Sequence, residues 1–195
     1  MNLRKFIFVT LAALTAATAV AYGVFVSGQA GVAMPLLAST SVPYLGKAPD
    51  FTLTEKNGLV FSKSVLDGQI WVADFVFTRC QGQCPIMTQQ MARLQEALPQ
   101  VKLVSFSVDP DFDKPEALKA YAQAYKAENQ RWYFLTGSRD VLNQVSTAFH
   151  MNKIDEPMFH SASFVLVDRR GDVRGYYDAN DAQKIEQLIS DAKRL

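Results

Sequence analysis

The stretch "DFVFTRCQGQCP", Asp74 to Pro85, holds both cysteines of the 195-residue chain, Cys80 and Cys84, with three residues between them. The run in front of them, "QIWVADFVF" (Gln69 to Phe77), is short, apolar and rich in β-branched and aromatic residues, as expected of a strand buried on both faces. Behind them, Pro85 sits where a first helical residue would, and Met87, Met91, Leu94 and Leu98 recur at helical spacings. The cysteines therefore occupy a loop that leads from a central strand into a helix. Unpaired N–H groups at a helix start favour anions and lower thiol pKa values, so both cysteines are expected to be unusually available as thiolates. A structural disulfide is the plainer reading of the pair. A five-residue loop constrains the unfolded chain little, however, which favours a chemical role.

Working outward, strand-like and helix-like patterns alternate. "FTLTEKNGLVFS" carries Asn57-Gly58 between two alternating segments and predicts a hairpin. "VKLVSFSV" (Val101 to Val108), "WYFL" (Trp132 to Leu135) and "SFVLVD" (Ser163 to Asp168) read as further buried strands. Asp113 with Glu116 resembles a capping box ahead of a stripe of Leu118, Tyr121, Ala122 and Tyr125. Val141, Leu142, Val145 and Phe149 form a third helical stripe, and Ile185, Leu188, Ile189 and Ala192 a fourth. "RRGDVRGYYD" predicts a late hairpin turning at Gly171-Asp172. This order fits an α/β fold, a thioredoxin-like three-layer sandwich.

Composition is that of ordinary globular material, with 49% apolar and 20% charged residues. Basic residues are scattered rather than striped, so nucleic-acid binding gains no support. The opening is different. Arg4 and Lys5 precede "FIFVTLAALTAATAVAYGVFV", Phe6 to Val26, 21 residues without a charge. That is enough for a helix to cross a hydrocarbon core of roughly 30 Å. Residues 1–30 are therefore expected to be a transmembrane anchor helix, with the basic residues cytoplasmic and everything after Val26 on the exported side of the membrane. A cleaved signal peptide is the rival, although its apolar core is usually only about 7 to 15 residues long. Residues 31–46 read as a linker and 47–195 as one domain, long enough to bury a core without disulfide staples.

Two chemistries use such a cysteine pair: thiol–disulfide exchange and soft-metal binding. Exchange proteins of the thioredoxin fold usually carry C-x-x-C and a cis-proline just before the strand facing it. Here the spacing is C-x-x-x-C, Pro157 is too far upstream, and His160 stands next to the strand instead. A histidine facing two thiolates makes an S2N set, which suits copper or zinc rather than magnesium or calcium.

The segments "DFVFTRCQGQCPIMTQQMARLQ", "SFSVDPDFDKPEALKAYAQAY", "FLTG" and "FHSASFVLVDRRGDVRGYY", in this order, resemble the Sco/SenC family of copper-binding, thioredoxin-like proteins. The resemblance spans Ala48 to the C-terminus. It implies that Cys80, Cys84 and His160 bind one copper ion. It also implies delivery of copper to the CuA site of a cytochrome c oxidase subunit, or a redox role toward that site's cysteines, with a thiol reductant protein as a second partner. Gln81 departs from the proline found in many members. Copper also agrees with the residues themselves: two thiolates satisfy Cu(I), while Cu(II) gains from the harder imidazole. Zinc fits less well, since structural zinc normally takes four ligands. The alternative functions are a thiol–disulfide oxidoreductase, with Cys80 and Cys84 as its redox pair, and a thiol peroxidase on the same fold.

Other candidates have plainer roles. His150 ends a helical stripe and suits the helix dipole. Met87 and Met91 belong to a core stripe, while Met158 is a candidate transient ligand. Trp71, Phe75 and Phe77 read as core. Asp74 on a central strand is costly unless paired, so it either orients a group of the site or makes a structural hydrogen bond. Asp113 reads as a helix cap, and Asp109 as a candidate partner-facing residue or support for the site.

Overall fold

Among the described residues, eight strands form one mixed sheet: β1 (Gly46–Lys47), β2 (Thr52–Glu55), β3 (Val60–Ser62), β4 (Trp71–Val76), β5 (Lys102–Ser107), β6 (Trp132–Thr136), β7 (Ser163–Val167) and β8 (Asp172–Asp178). Their order across the sheet is β1-β8-β7-β4-β5-β6-β2-β3. The computed structural model describes residues 42–151 and 162–195. The expected anchor, most of the linker, and Pro157, Met158 and His160 lie outside the described residues. Among the described residues no helix is long and apolar enough to cross a membrane.

The central strands β4, β5 and β6 run parallel, and β4 also pairs antiparallel with β7. All six residues of β4 are buried, because layers cover both faces of the sheet. The period of two along the strand separates them. Val72 joins Leu103, Phe134 and Phe164 on one face, packed beneath α1 (Gln83–Ala97), α2 (Pro115–Ala124) and α4 (Ala182–Lys193). Trp71, Ala73 and Phe75 join Phe106, Val165 and Phe149 on the other, beneath α3 (Arg139–Ala148) and the N-terminal hairpin. The hairpin turns at Asn57-Gly58 as its sequence predicts, and Gly58 takes a positive φ of 81°. Gly171, with φ of 74°, turns β7 into β8.

Two helix starts differ from the sequence reading. α1 begins at Gln83, so Pro85 is its third residue and Cys84 lies inside the first turn. A proline in a first turn loses no intrahelical bond, since the N–H groups there have no partner anyway. α2 has Lys114 at its N-cap with no side-chain cap, and Asp113 does not cap it. Pro115 starts that helix by its fixed φ. The anticipated cores hold: Met87 and Met91 are 1% and 0% exposed, and Leu142, Val145, Ile185 and Leu188 are likewise buried. Strand β1 and a single 3-10 turn at Lys63–Leu66 were not anticipated.

Candidate functional site

β4 stops at Val76 and the chain turns at once, with the Cys80 N–H donating to the Phe77 carbonyl at 3.2 Å. Gly82 then serves as N-cap of α1 with no side chain to accept from the helix. The sulfur of Cys80 occupies that role, accepting from the Cys84 N–H at 3.4 Å. The two cysteines are thus held together by the mouth of one helix, and they are not joined by a disulfide.

Their environments differ. Burial raises the Cys80 thiol, but hydrogen bonds from the backbone and thiol of Cys84 and from the Gly82 and Gln83 N–H groups outweigh it and leave Cys80 more acidic than an ordinary thiol. Cys84 is 2% exposed. Burial pushes it strongly up, against a hydrogen bond from the Phe77 backbone, and the neighbouring Cys80 and Asp74 charges push it further. The expectation that both cysteines are unusually available as thiolates is therefore corrected for Cys84. Only Cys80 gains from the helix mouth, because Cys84, the second residue of α1, is buried. Its carbonyl accepts from the Thr88 hydroxyl at 2.8 Å, and that hydroxyl also bonds Tyr121 at 2.7 Å.

Asp74 is fully buried on β4, on the same sheet face as α1. Burial raises its carboxyl from 3.8 to about 7. A contact with the Ser105 hydroxyl, its register partner on β5, works against this. Yet neither carboxylate oxygen reaches a partner at proper hydrogen-bond distance and angle. The Ser105 oxygen instead accepts from the Trp132 indole at 2.9 Å. A glancing contact stabilises a charge little. Asp74 therefore makes no structural hydrogen bond through its carboxylate.

The loop after β5 supports the cysteine turn. Asp113 is fully buried and accepts from the Thr78 hydroxyl at 2.6 Å, the Thr78 N–H at 3.2 Å and the Ser107 hydroxyl at 2.8 Å. Asp109 accepts from Arg79, whose guanidinium lies 4.4 Å from the centre of the half-exposed Phe112 ring. Thr78, Arg79 and Ser107 went unnoticed in the sequence. The alternating Ser105 and Ser107 on a strand otherwise apolar were the available signal, since polar side chains on a central strand need partners.

The sequence pattern of the SCO1/SenC family matches residues 44–195. The chain belongs to this family. A SCO1 homologue of Bacillus subtilis is 35% identical over 153 residues, 73% of this chain and 79% of its own length. A Stutzerimonas stutzeri protein, provisionally named as copper-binding, is 32% identical over 162 residues, 75% of this chain and 78% of its own. Among solved structures, a SCO1/SenC lipoprotein from Bacillus anthracis superposes with a TM-score of 0.71 at 39% identity, over 77% of this chain and 95% of its own. BsSco, a member of the Sco family of cytochrome c oxidase assembly proteins with a disulfide switch, gives 0.70 at 34% identity, over 78% and 95%. These likenesses establish the thioredoxin-like α/β fold of the Sco domain.

Within that domain the remaining candidates fall into place. His150 is exposed just past α3, at a positive φ of 55°, with its N–H on the Thr147 carbonyl at 2.9 Å. It ends the helix. Met151 packs against the core. Phe75 and Trp71 are buried, and Phe77 is partly buried against the same cluster. No cis peptide occurs among the described residues.

Proposed function

We propose that this Sco-family protein is an exported, membrane-anchored copper metallochaperone that binds one copper ion through Cys80, Cys84 and His160 and helps assemble the CuA site of cytochrome c oxidase. The observation that carries the reading is the pair of sulfurs at the mouth of α1, Cys80 acidified by helix N–H groups and bonded to the Cys84 N–H. Two soft donors on one helix end suit Cu(I), and an imidazole added from a separate loop suits Cu(II). Cys80, the more acidic thiol, gives up its proton to incoming metal more readily than Cys84. Cys84 holds its proton until metal displaces it, so loading releases protons. The buried position of Cys84 leaves Cys80 as the sulfur that an acceptor site meets first.

The test is anaerobic titration of the reduced full chain with copper, followed by X-ray absorption. One copper per chain with mixed sulfur and nitrogen neighbours is expected. Oxygen and nitrogen neighbours alone would overturn the reading. A second reading, a thiol–disulfide oxidoreductase acting on an exported partner, is favoured by the same asymmetry, since an acidic outer thiol beside a buried one suits attack and resolution. His160→Ala separates the two. Exchange needs only the sulfurs, so retained Cu(II) affinity and unimpaired oxidase assembly in that variant would favour the oxidoreductase.

A further inference from the structure

The two sulfurs reach the site by different means. Cys84 rides on α1, which the buried Met87, Met91 and Leu94 fix to the sheet. Cys80 rides on a turn in which no residue from Phe77 to Gln83 is buried. Core packing therefore holds one sulfur directly, whereas for the other it reaches only the partly buried Phe77 at the start of the turn and leaves the rest to whatever restrains the turn. Two of its residues, Thr78 and Arg79, are each taken by an acid from the loop after β5. The Arg79–Asp109 pair is more than half exposed on the arginine side, and surface ion pairs of this kind restrain little. The bond from Thr78 to Asp113 is of another order: the acid is fully buried and takes both the N–H and the hydroxyl of Thr78, with Ser107 anchoring it from β5. Asp113 does this at a local cost. It immediately precedes Lys114, the N-cap of α2, yet the start of that helix has no side-chain cap. Its acceptor capacity is spent on the cysteine turn instead.

We infer that Asp113 is a positioning residue for Cys80: through Thr78 it holds the turn that sets how the Cys80 sulfur meets the Cys84 sulfur. The inference deepens the metallochaperone reading and rests on it for the identity of the metal. Release of the clamp lets the turn pivot about Val76, and the Cys80 sulfur leaves the Cys84 N–H while Cys84 stays in place. Ligand spacing changes although the fold does not.

The experiment uses the full chain with Asp113→Asn, Thr78→Val and Thr78→Ser. Thr78→Val removes only the hydroxyl donor, so the test survives if Asp113→Asn does not fold. Two quantities are measured on variants shown to be folded by circular dichroism: the sulfur-to-copper charge-transfer spectrum with the rate of Cu(I) loss to a competing chelator, and the thiol–disulfide equilibrium of Cys80–Cys84 with glutathione. Asp113→Asn and Thr78→Val should lose copper at least about tenfold faster and shift the glutathione equilibrium at least about fivefold. Thr78→Ser, which keeps both donors, should restore wild-type values. A merely structural Asp113 would lower the melting temperature and leave spectrum, exchange rate and equilibrium unchanged, and that result overturns the inference. If the wild type itself takes no copper on sulfur, the metallochaperone reading fails. The glutathione equilibrium, which needs no metal, then decides the role of Asp113 alone.

Discussion

Replacement of Asp74 by asparagine should stabilise the protein above neutral pH and do so less as the pH falls. The wild-type carboxyl is fully buried, its oxygens make no hydrogen bond, and its pKa rises from 3.8 to about 7. In the folded state it therefore keeps a proton between about pH 4 and pH 7 that the unfolded chain has already released. A group whose folded pKa is raised in this way has its stability fully present below the unfolded value and loses it as pH rises through the folded one. At about 1.4 kcal/mol for each tenfold in proton affinity, the loss approaches roughly 4 kcal/mol by pH 8 and only about 1.5 kcal/mol at pH 5. Asparagine stays neutral throughout. Whatever fixed amount its amide costs, the advantage of Asp74→Asn over wild type should grow by about 2.5 kcal/mol between pH 5 and pH 8. For a domain of this size that is a relative shift in melting temperature of about 5 to 10 °C. Urea unfolding of metal-free protein at both pH values, followed by circular dichroism, measures it. Parallel stability profiles of variant and wild type would refute the assignment of a buried, unpaired carboxyl at this position.

Three further outcomes follow from the site and the sheet. At neutral pH in the reduced protein, iodoacetamide should modify Cys80 about tenfold faster than Cys84, as peptide mapping of briefly treated protein would show; equal rates would contradict the asymmetry. Metal and disulfide require the same two sulfurs, so oxidised protein should bind copper far more weakly than reduced protein when titrated side by side with free-thiol counting. Gly175→Ala should destabilise the fold by about 1 to 3 kcal/mol, because a Cβ there would run into the ring of Tyr177. That ring cannot yield freely, since its hydroxyl donates to the buried Asp191 at 2.7 Å. Wild-type stability in thermal melts would show that the ring moves aside.

The sequence by itself determined the parts of this protein whose signals are local. Buried strands announce themselves as short apolar runs, and β4 to β7 lie within two residues of their expected bounds. The stripes of α1, α3 and α4, the Asn57-Gly58 hairpin and the adjacency of Cys80 and Cys84 follow from spacing alone, because each depends on neighbours a few positions away. Tertiary structure alone decided what depends on distant residues. Asp113 has the sequence context of a helix cap, but Thr78, 35 positions earlier, supplies donors that the buried carboxylate takes instead. The two thiols look equivalent along the chain, and only the packing of α1 against the sheet buries Cys84 while leaving Cys80 at the helix mouth. Asp74 shows the same division: its placement on a central strand was readable, whereas the lack of a hydrogen-bond partner for its carboxylate shows only once β4, β5 and β6 lie side by side.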